Sequence, residues 1–354
     1  MMRDEIRQQP DAIERTLKSE WWQAERLRSL LSEQRPRFVV LAARGTSDNA
    51  AQFGRYLIEI TTGIPVSLAA PSVYTLYQAR TDLRDTLVIA ISQSGESTDI
   101  NLVLERAKAA GAITVGITNE PDSTLAKLAQ MPFLVRAGKE RSVAATKTYT
   151  GQLLVFYLIA YALGAALKQD DLKKLTDAAA SALKLESEIT GRAERYRFMQ
   201  HAVVIGRGLN YANSFEFALK LMETCYVIAE RFSSADLLHG PIAMLEASFP
   251  AFVLAPGGVT WTSMRELIER LQTLKAEVLV ITDRGNKEPR NLAGLERKVV
   301  TIPATISRTS ALPEDLFTPI PYVIPGQLFA ASLADVKGLD ADKPRTLSKV
   351  TRTL

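Results

Sequence analysis

Leu87-Val88-Ile89-Ala90-Ile91 is an unbroken apolar run that stops at Ser92, and its surroundings leave few folds open. A strand that is apolar on both faces must be covered on both sides, as in a parallel sheet between helical layers. The run gives way to Ser92-Gln93-Ser94-Gly95-Glu96-Ser97. A helix then begins near Thr98, with Ile100, Val103, Leu104 and Ala107 along one face. Such a turn suits an anion: backbone N–H groups point outward, the helix dipole favours negative charge, and the hydroxyls add donors. The loop holds no Lys or Arg and matches neither the Walker pattern nor Gly-x-Gly-x-x-Gly. That fits one terminal phosphate on a small molecule better than a nucleotide. An ordinary polar strand-to-helix turn would have the same composition.

The flanking segments repeat the alternation. Residues 3–34 are amphipathic, with Ile13, Leu17, Trp21, Leu27 and Leu30 at helical spacing, and Pro36 ends them. Phe38–Ala43 reads as a buried strand followed by the turn Arg44–Asn49 and a helix from about Ala50 to Thr61. Further strands are expected at Pro65–Ala69, Ile113–Ile117 and Phe133–Val135. Strands and helices alternating at these lengths imply a doubly wound parallel sheet, whose ligands bind beyond the carboxyl ends of the strands. The turns at Thr46 and Ser92 both lie there and could face one ligand from two sides.

After a charged helical connector at 168–199 the pattern returns. Ala202–Gly208 echoes Val39–Gly45, each a strand ending in Arg-Gly. Phe252–Gly258 stands where the Ser92 loop would fall, and Glu277–Asp283 matches Ile113–Asn119. Tyr322-Val323-Ile324 and the helix after Gln327 are expected to close this half. The fold class is therefore α/β, two doubly wound parallel-sheet domains in tandem, arising by duplication. The predicted divisions are a helical segment at 1–36, a first domain at 37–195, a second at 196–335 and a tail at 336–354. Pro256-Gly257-Gly258 offers few side-chain donors, so one phosphate site is expected, in the first half. The stretch Lys343–Thr351 has no clear period and reads as an ordered tail or loop.

Composition excludes several classes. Of 354 residues 47% are apolar and 23% charged, the net charge is only +4, and no basic block is dense enough for nucleic acid. One cysteine, Cys225, rules out an internal disulfide framework, and two histidines, His201 and His239, argue against a zinc site, so neither metal nor cofactor is expected. The N-terminus lacks the apolar core of a signal peptide. The longest apolar run, Leu153–Leu167, is too short to span a bilayer comfortably and reads as a buried or subunit-interface helix. A cytoplasmic protein with no membrane partner is expected.

The residues suited to chemistry lie between Glu216 and Pro241. On a helix Glu216, Lys220 and Glu223 share one face, with an apolar stripe of Phe215, Leu219, Met222 and Tyr226 beside them. A solvent-facing Glu–Lys–Glu ladder would look the same. Nearby stand Ser233-Ser234 and an isolated imidazole in Leu238-His239-Gly240-Pro241. A carboxylate that shuttles a carbon-bound proton and a histidine that opens a sugar ring would come from such elements. His201, at the start of a predicted strand, reads as structural.

Gly45-Thr46-Ser47, the Ser92–Ser97 loop, Val143-Ala144-Ala145-Thr146-Lys147, the Glu216–Glu223 helix, His239-Gly240-Pro241 and Lys349 occur in one order. In that order, from about Arg3 to Leu354, the chain resembles the sugar isomerase (SIS) domains, in particular the tandem pair that forms the isomerase half of glucosamine-6-phosphate synthase. The resemblance implies flavodoxin-like three-layer sandwiches. It also implies that Thr46, Ser47, Ser92, Gln93, Ser94 and Ser97 contact the phosphate and sugar hydroxyls, with the backbone of Val143 touching the sugar. Glu223 matches the base that moves a proton between C1 and C2, and Glu216 and Lys220 match helix residues that position it. His239 matches the ring-opening residue, which in the family reaches into the partner subunit's site, so a homodimer is implied. Lys349 matches the tail lysine that forms an imine with the open ketose. The synthase also carries an N-terminal glutaminase domain with a cysteine nucleophile, whereas this sequence begins at the isomerase half and Cys225 lies inside an apolar helix. It looks most like the stand-alone glucosamine-6-phosphate deaminases, which yield fructose 6-phosphate and ammonia. A fructosamine-6-phosphate deglycase, a galactosamine-6-phosphate deaminase and a simple aldose–ketose isomerase would keep the same residues. A sugar-phosphate sensor would leave Glu223, His239 and Lys349 without a reason to coexist.

Overall fold

Two helices lead the chain, α1 (Met2–Arg7) and α2 (Gln9–Glu33), where the hydrophobic spacing predicts one. Pro10 accounts for the restart: lacking an N–H, it is tolerated in a first turn but not inside a continuous helix. The computed structural model describes residues 1–306, 312–347 and 349.

The first half alternates as expected: β1 (Phe38–Ala42), α3 (Thr46–Thr62), β2 (Val66–Leu68), α4 (Pro71–Thr75), β3 (Thr86–Ile91), α5 (Thr98–Ala109), β4 (Ile113–Thr118), α6 (Thr124–Leu128), β5 (Met131–Leu134) and α7 (Lys147–Ala162). The strands pair in parallel in the order β2-β1-β3-β4-β5. β3 is central and buried along its whole length. One face of the sheet, with Val40, Ala42, Val88 and Ala90, packs on Ile100, Val103 and Leu104 of α5. In the other layer α3 and α7 pack closely: a Cβ at Gly54 would lie 2.3 Å from the ring of Phe156. α7 is apolar all round and buried throughout except Tyr161, so this helix does not call for a subunit interface.

The second half repeats that topology. After α8 (Gln169–Leu183) and α9 (Glu186–Ala193) come β6 (His201–Gly206), α10 (Tyr211–Cys225), β7 (Ile228–Ser233), α11 (Ser234–Leu238), β8 (Pro250–Leu254), α12 (Trp261–Thr273), β9 (Glu277–Asp283), α13 (Glu288–Asn291), β10 (Val299–Ile302) and α14 (Pro319–Val336). The parallel order β10-β9-β8-β6-β7 is the first sheet's order with each strand replaced by its counterpart. Val203, Ile205, Val253 and Val280 face Met264, Leu267 and Leu271 of α12, while Phe217, Phe252 and Phe329 stack edge-on in the opposite layer.

One expectation for this half is corrected and one strand was missed. Tyr322-Val323-Ile324 is not a closing strand but part of α14, a helix buried throughout almost its whole length; the strand that closes the sheet is β10. Short apolar runs look alike as buried strand or buried helix, and Pro319 opening the first turn marks the helix. β7 was not foreseen, because Ile-Ala-Glu-Arg-Phe-Ser is the half-exposed sequence of an edge strand.

The chain forms two compact units, each with one sheet. One comprises Asp11–Glu140 and Lys147–Lys173 with Lys349; the other comprises Met1–Pro10, Arg141–Thr146 and residues 174–306 and 312–347. The 141–146 segment is tied into the latter, where Ser142 N–H donates to Glu5 at 3.2 Å and Val143 N–H to the carbonyl of Asp342 at 3.2 Å. Of the expected Lys343–Thr351 tail, residues 348, 350 and 351 lie outside the described residues. Among the described residues no helix is long and apolar enough to cross a membrane.

Candidate active site

In the first unit the chain leaves β1 toward β2 on one side and returns to β3 on the other. The loops after β1 and β3 therefore flank the topological switch point, where doubly wound sheets bind ligands. Thr46 and Ser47 open α3 after Gly45, earlier than the helix start expected near Ala50. Ser47 is buried, and its Oγ accepts from Nε2 of Gln152 on α7 at 2.9 Å. Gln152 thereby joins the candidate site; pattern reading missed it, since one amide on an apolar helix carries no signal of its own.

The Ser92 loop is tightly specified. Ser92 and Ser97 join Oγ to Oγ at 2.9 Å, and Gly95 N–H donates to Ser92 Oγ at 3.1 Å. Ser97 is the N-cap of α5, but its hydroxyl turns to Ser92 and does not cap the helix. Within that first turn the Asp99 carboxylate takes Ile100 N–H at 2.9 Å, and the helix N-terminus as a whole favours negative charge. Gln93 and Ser94 are half-buried on the same turn, with the Gln93 carbonyl accepting from Asn119 N–H at 3.0 Å. Gly95 has φ +68° and passes so close to α6 that a Cβ would lie 2.2 Å from Ser123 Oγ. Glu96, the acid in an anion loop, is turned away: its carboxylate accepts from Thr124 N–H and Oγ1, both at 2.8 Å. Arg44 binds Asp99 at 2.8 Å, linking the two loops, while burial raises the Asp48 carboxyl pKa against the pull of Arg44.

In the second unit α10 carries Glu216, Lys220 and Glu223. The ladder does not face solvent: the side chains of Glu216 and Lys220 are 0% exposed, and Glu223 is 23% exposed. Lys220 Nζ lies 2.6 Å from Glu223 and 3.4 Å from Glu216. Burial alone would lower the pKa of this ammonium, but the two carboxylates outweigh it and hold the pKa above the usual lysine value. The helix is inverted relative to its pattern, with the charged face inward and Phe215, Leu219, Met222 and Tyr226 half-exposed. Glu223 is thus a carboxylate fixed by a buried cation with part of its surface open. His239 stands on another element, exposed at the C-cap of α11. His201 is exposed at the start of β6 and stacks on Phe249 at 4.6 Å. Cys225 is buried, donates to the Ala330 carbonyl at 3.1 Å, and has its thiol pKa pushed up to about 11 by burial.

Lys349 pairs with Glu140 at 3.1 Å, a contact that nothing in the residue pattern announces. Val143 N–H donates to the carbonyl of Asp342.

The second sheet's switch-point crevice is filled by its own chain. A Cβ at Gly258 would lie 3.0 Å from Glu314 Cβ and 3.5 Å from Asp315 N, and one at Gly208 would lie 3.9 Å from Asp315 Oδ2. An acidic plug there, with Asp315 raised in pKa by burial, is unsuited to phosphate. Clefts of ≈ 450 and ≈ 800 Å³ open instead at the amino ends of strands, beside His201 and Glu277 in one unit and Arg37 and Ile113 in the other, and no motif residue lines them.

The profile of the SIS domain matches residues 30–162 and 198–312, well over half of the chain. A glutamine–fructose-6-phosphate aminotransferase (isomerizing) of Xylella fastidiosa is 34% identical over 322 residues, 88% of this chain and 51% of the relative. The chain spans about half the length of the curated relatives it matches. The C-terminal domain of glucosamine-fructose-6-phosphate aminotransferase from Francisella tularensis superposes with a TM-score of 0.83 at 27% identity, covering 97% of this chain and 98% of that one. A glucosamine-6-phosphate deaminase from Thermotoga maritima gives 0.73 over 96% and 99% of the two chains; at 22% identity that likeness speaks for the fold alone.

Proposed function

The chain belongs to the SIS domain family, and we propose that it is an amino-sugar phosphate deaminase/isomerase, converting glucosamine 6-phosphate and water to fructose 6-phosphate and ammonia. The observation that carries this reading is the buried Glu216–Lys220–Glu223 group. A structural ladder would lie in solvent, whereas this one is desolvated and aims a single partly open carboxylate outward.

In the proposed cycle the Ser92–Ser97 loop, with Thr46 and Ser47, holds the phosphate and supplies binding energy remote from the reacting carbons. His239 assists ring opening. Glu223 takes the proton from C2 of the open amino sugar, leaving an enolamine, and returns one to C1, which makes C2 an imine. Water adds at C2 and ammonia leaves. Lys349 Nζ adds to the carbonyl of the open ketose with loss of water, and water then hydrolyses that imine to free the amine and the product; the Val143 carbonyl meets a sugar hydroxyl. General acid–base groups of this kind each contribute roughly 10²–10⁴-fold. Relatives named for fructose 6-phosphate support the hexose phosphate class.

The test is release of ammonia and fructose 6-phosphate from glucosamine 6-phosphate by wild type and Glu223→Gln. Release by wild type, reduced at least 100-fold in the variant, is expected. No release by folded wild type, with turnover of galactosamine 6-phosphate or a fructosamine 6-phosphate instead, would move the substrate to one of those. Undiminished release by Glu223→Gln would remove Glu223 from the chemistry.

A further inference from the structure

Glu140 belongs to neither the hydroxyl loops nor the α10 group, yet its side chain has no exposed surface. A carboxylate so buried must be paired. Its Oε1 accepts from Thr148 N–H at 3.3 Å, and its Oε2 accepts from Thr148 Oγ1 at 2.6 Å and from Lys349 Nζ at 3.1 Å. Thr148 is in the first turn of α7, so the carboxylate is fixed by a rigid element. Lys349 is different: it lies 209 residues away in sequence, carries its amine on a flexible four-carbon stem, and is 25% exposed. The ion pair gives that mobile side chain a contact on a buried, fixed carboxylate.

We propose that Glu140 is a positioning residue that docks Lys349 and so sets where its amine waits. The docking stands on the contact alone; its consequence for turnover rests on the reading of Lys349 as the imine-forming residue. The rival account is that Glu140 merely caps the start of α7 through Thr148.

The experiment is a brief pulse of an amine-acetylating reagent on the folded protein, read by mass spectrometry at Lys349, for wild type, Glu140→Gln and Thr148→Val. Docking predicts that acetylation of Lys349 rises several-fold in Glu140→Gln and not in Thr148→Val. Equal acetylation in wild type and folded Glu140→Gln overturns it. If the Gln variant does not fold, Glu140→Asp keeps the charge and shortens the reach, and equal acetylation there overturns it likewise. In turnover, Glu140→Gln is expected to lower kcat by on the order of 10- to 100-fold with KM little changed. It should add no further loss in a Lys349→Met background. An independent further loss would assign Glu140 to α7 and overturn its positioning role. Were Lys349→Met as active as wild type, the imine reading would fail and the acetylation result alone would decide the docking.

Discussion

Lys220 is wholly buried between Glu216 and Glu223, and the arrangement fixes geometry more than it adds stability. Removing one member of a buried ionic group leaves charge in the interior without its counter-ion, so Lys220→Met should lower the unfolding free energy by about 3–5 kcal/mol, measured by urea denaturation. The sign with pH follows from the raised pKa of Lys220. Its stabilising contribution is fully present below the unfolded value near 10.5 and is lost as pH rises through the higher folded value. Wild type should therefore lose stability above about pH 10.5 by an increment that Lys220→Met lacks. The three residue types and their spacing were legible in the sequence. Their direction was not, because a pattern reading turns the apolar stripe at Phe215, Leu219, Met222 and Tyr226 inward. Glu140 was illegible for a simpler reason: a lone acid in Lys-Glu-Arg looks like solvated surface, and only the fold brings it to Thr148 and Lys349.

At the level of elements, the β3–α5 turn is the part whose backbone is least replaceable. Gly95 combines φ +68° with a neighbour that leaves no room for a methyl group, so Gly95→Ala must move the turn that carries Ser92, Ser94 and Ser97. Its expected outcome is a rise in KM for the sugar phosphate of on the order of 10- to 100-fold, with about 1–3 kcal/mol lost in stability. An unchanged KM would mean that this turn does not hold the phosphate. Strands built from continuous Val and Ile, such as β3 and β9, announce themselves. β7, polar at a sheet edge, does not, and the start of α14 mimics a strand until its prolines are read as a helix opening.

Over the whole molecule, duplication accounts for two sheets of one topology, and divergence accounts for their difference. One switch point keeps two hydroxyl-bearing loops; the other is occupied by Glu314 and Asp315. The loss of donors at Pro256-Gly257-Gly258 was readable, whereas the plug was not, since it comes from a segment more than fifty residues later. We also infer a homodimer in which His239 serves the partner's site. Its support is an exposed imidazole at the end of α11 and a half-exposed apolar stripe on α10, which would be covered by a second copy. Sedimentation equilibrium should give twice the chain mass, and Leu219→Glu on that stripe should shift it toward the monomer; a wild-type monomer at micromolar concentration would contradict this. That Glu223 moves a proton between C1 and C2 of a phosphosugar is tested most directly by incubating fructose 6-phosphate and ammonium with the protein in D₂O and following C1 by proton NMR. Deuterium incorporation at C1 is expected with wild type and none above background with Glu223→Gln. Incorporation at the same rate in both proteins would contradict it.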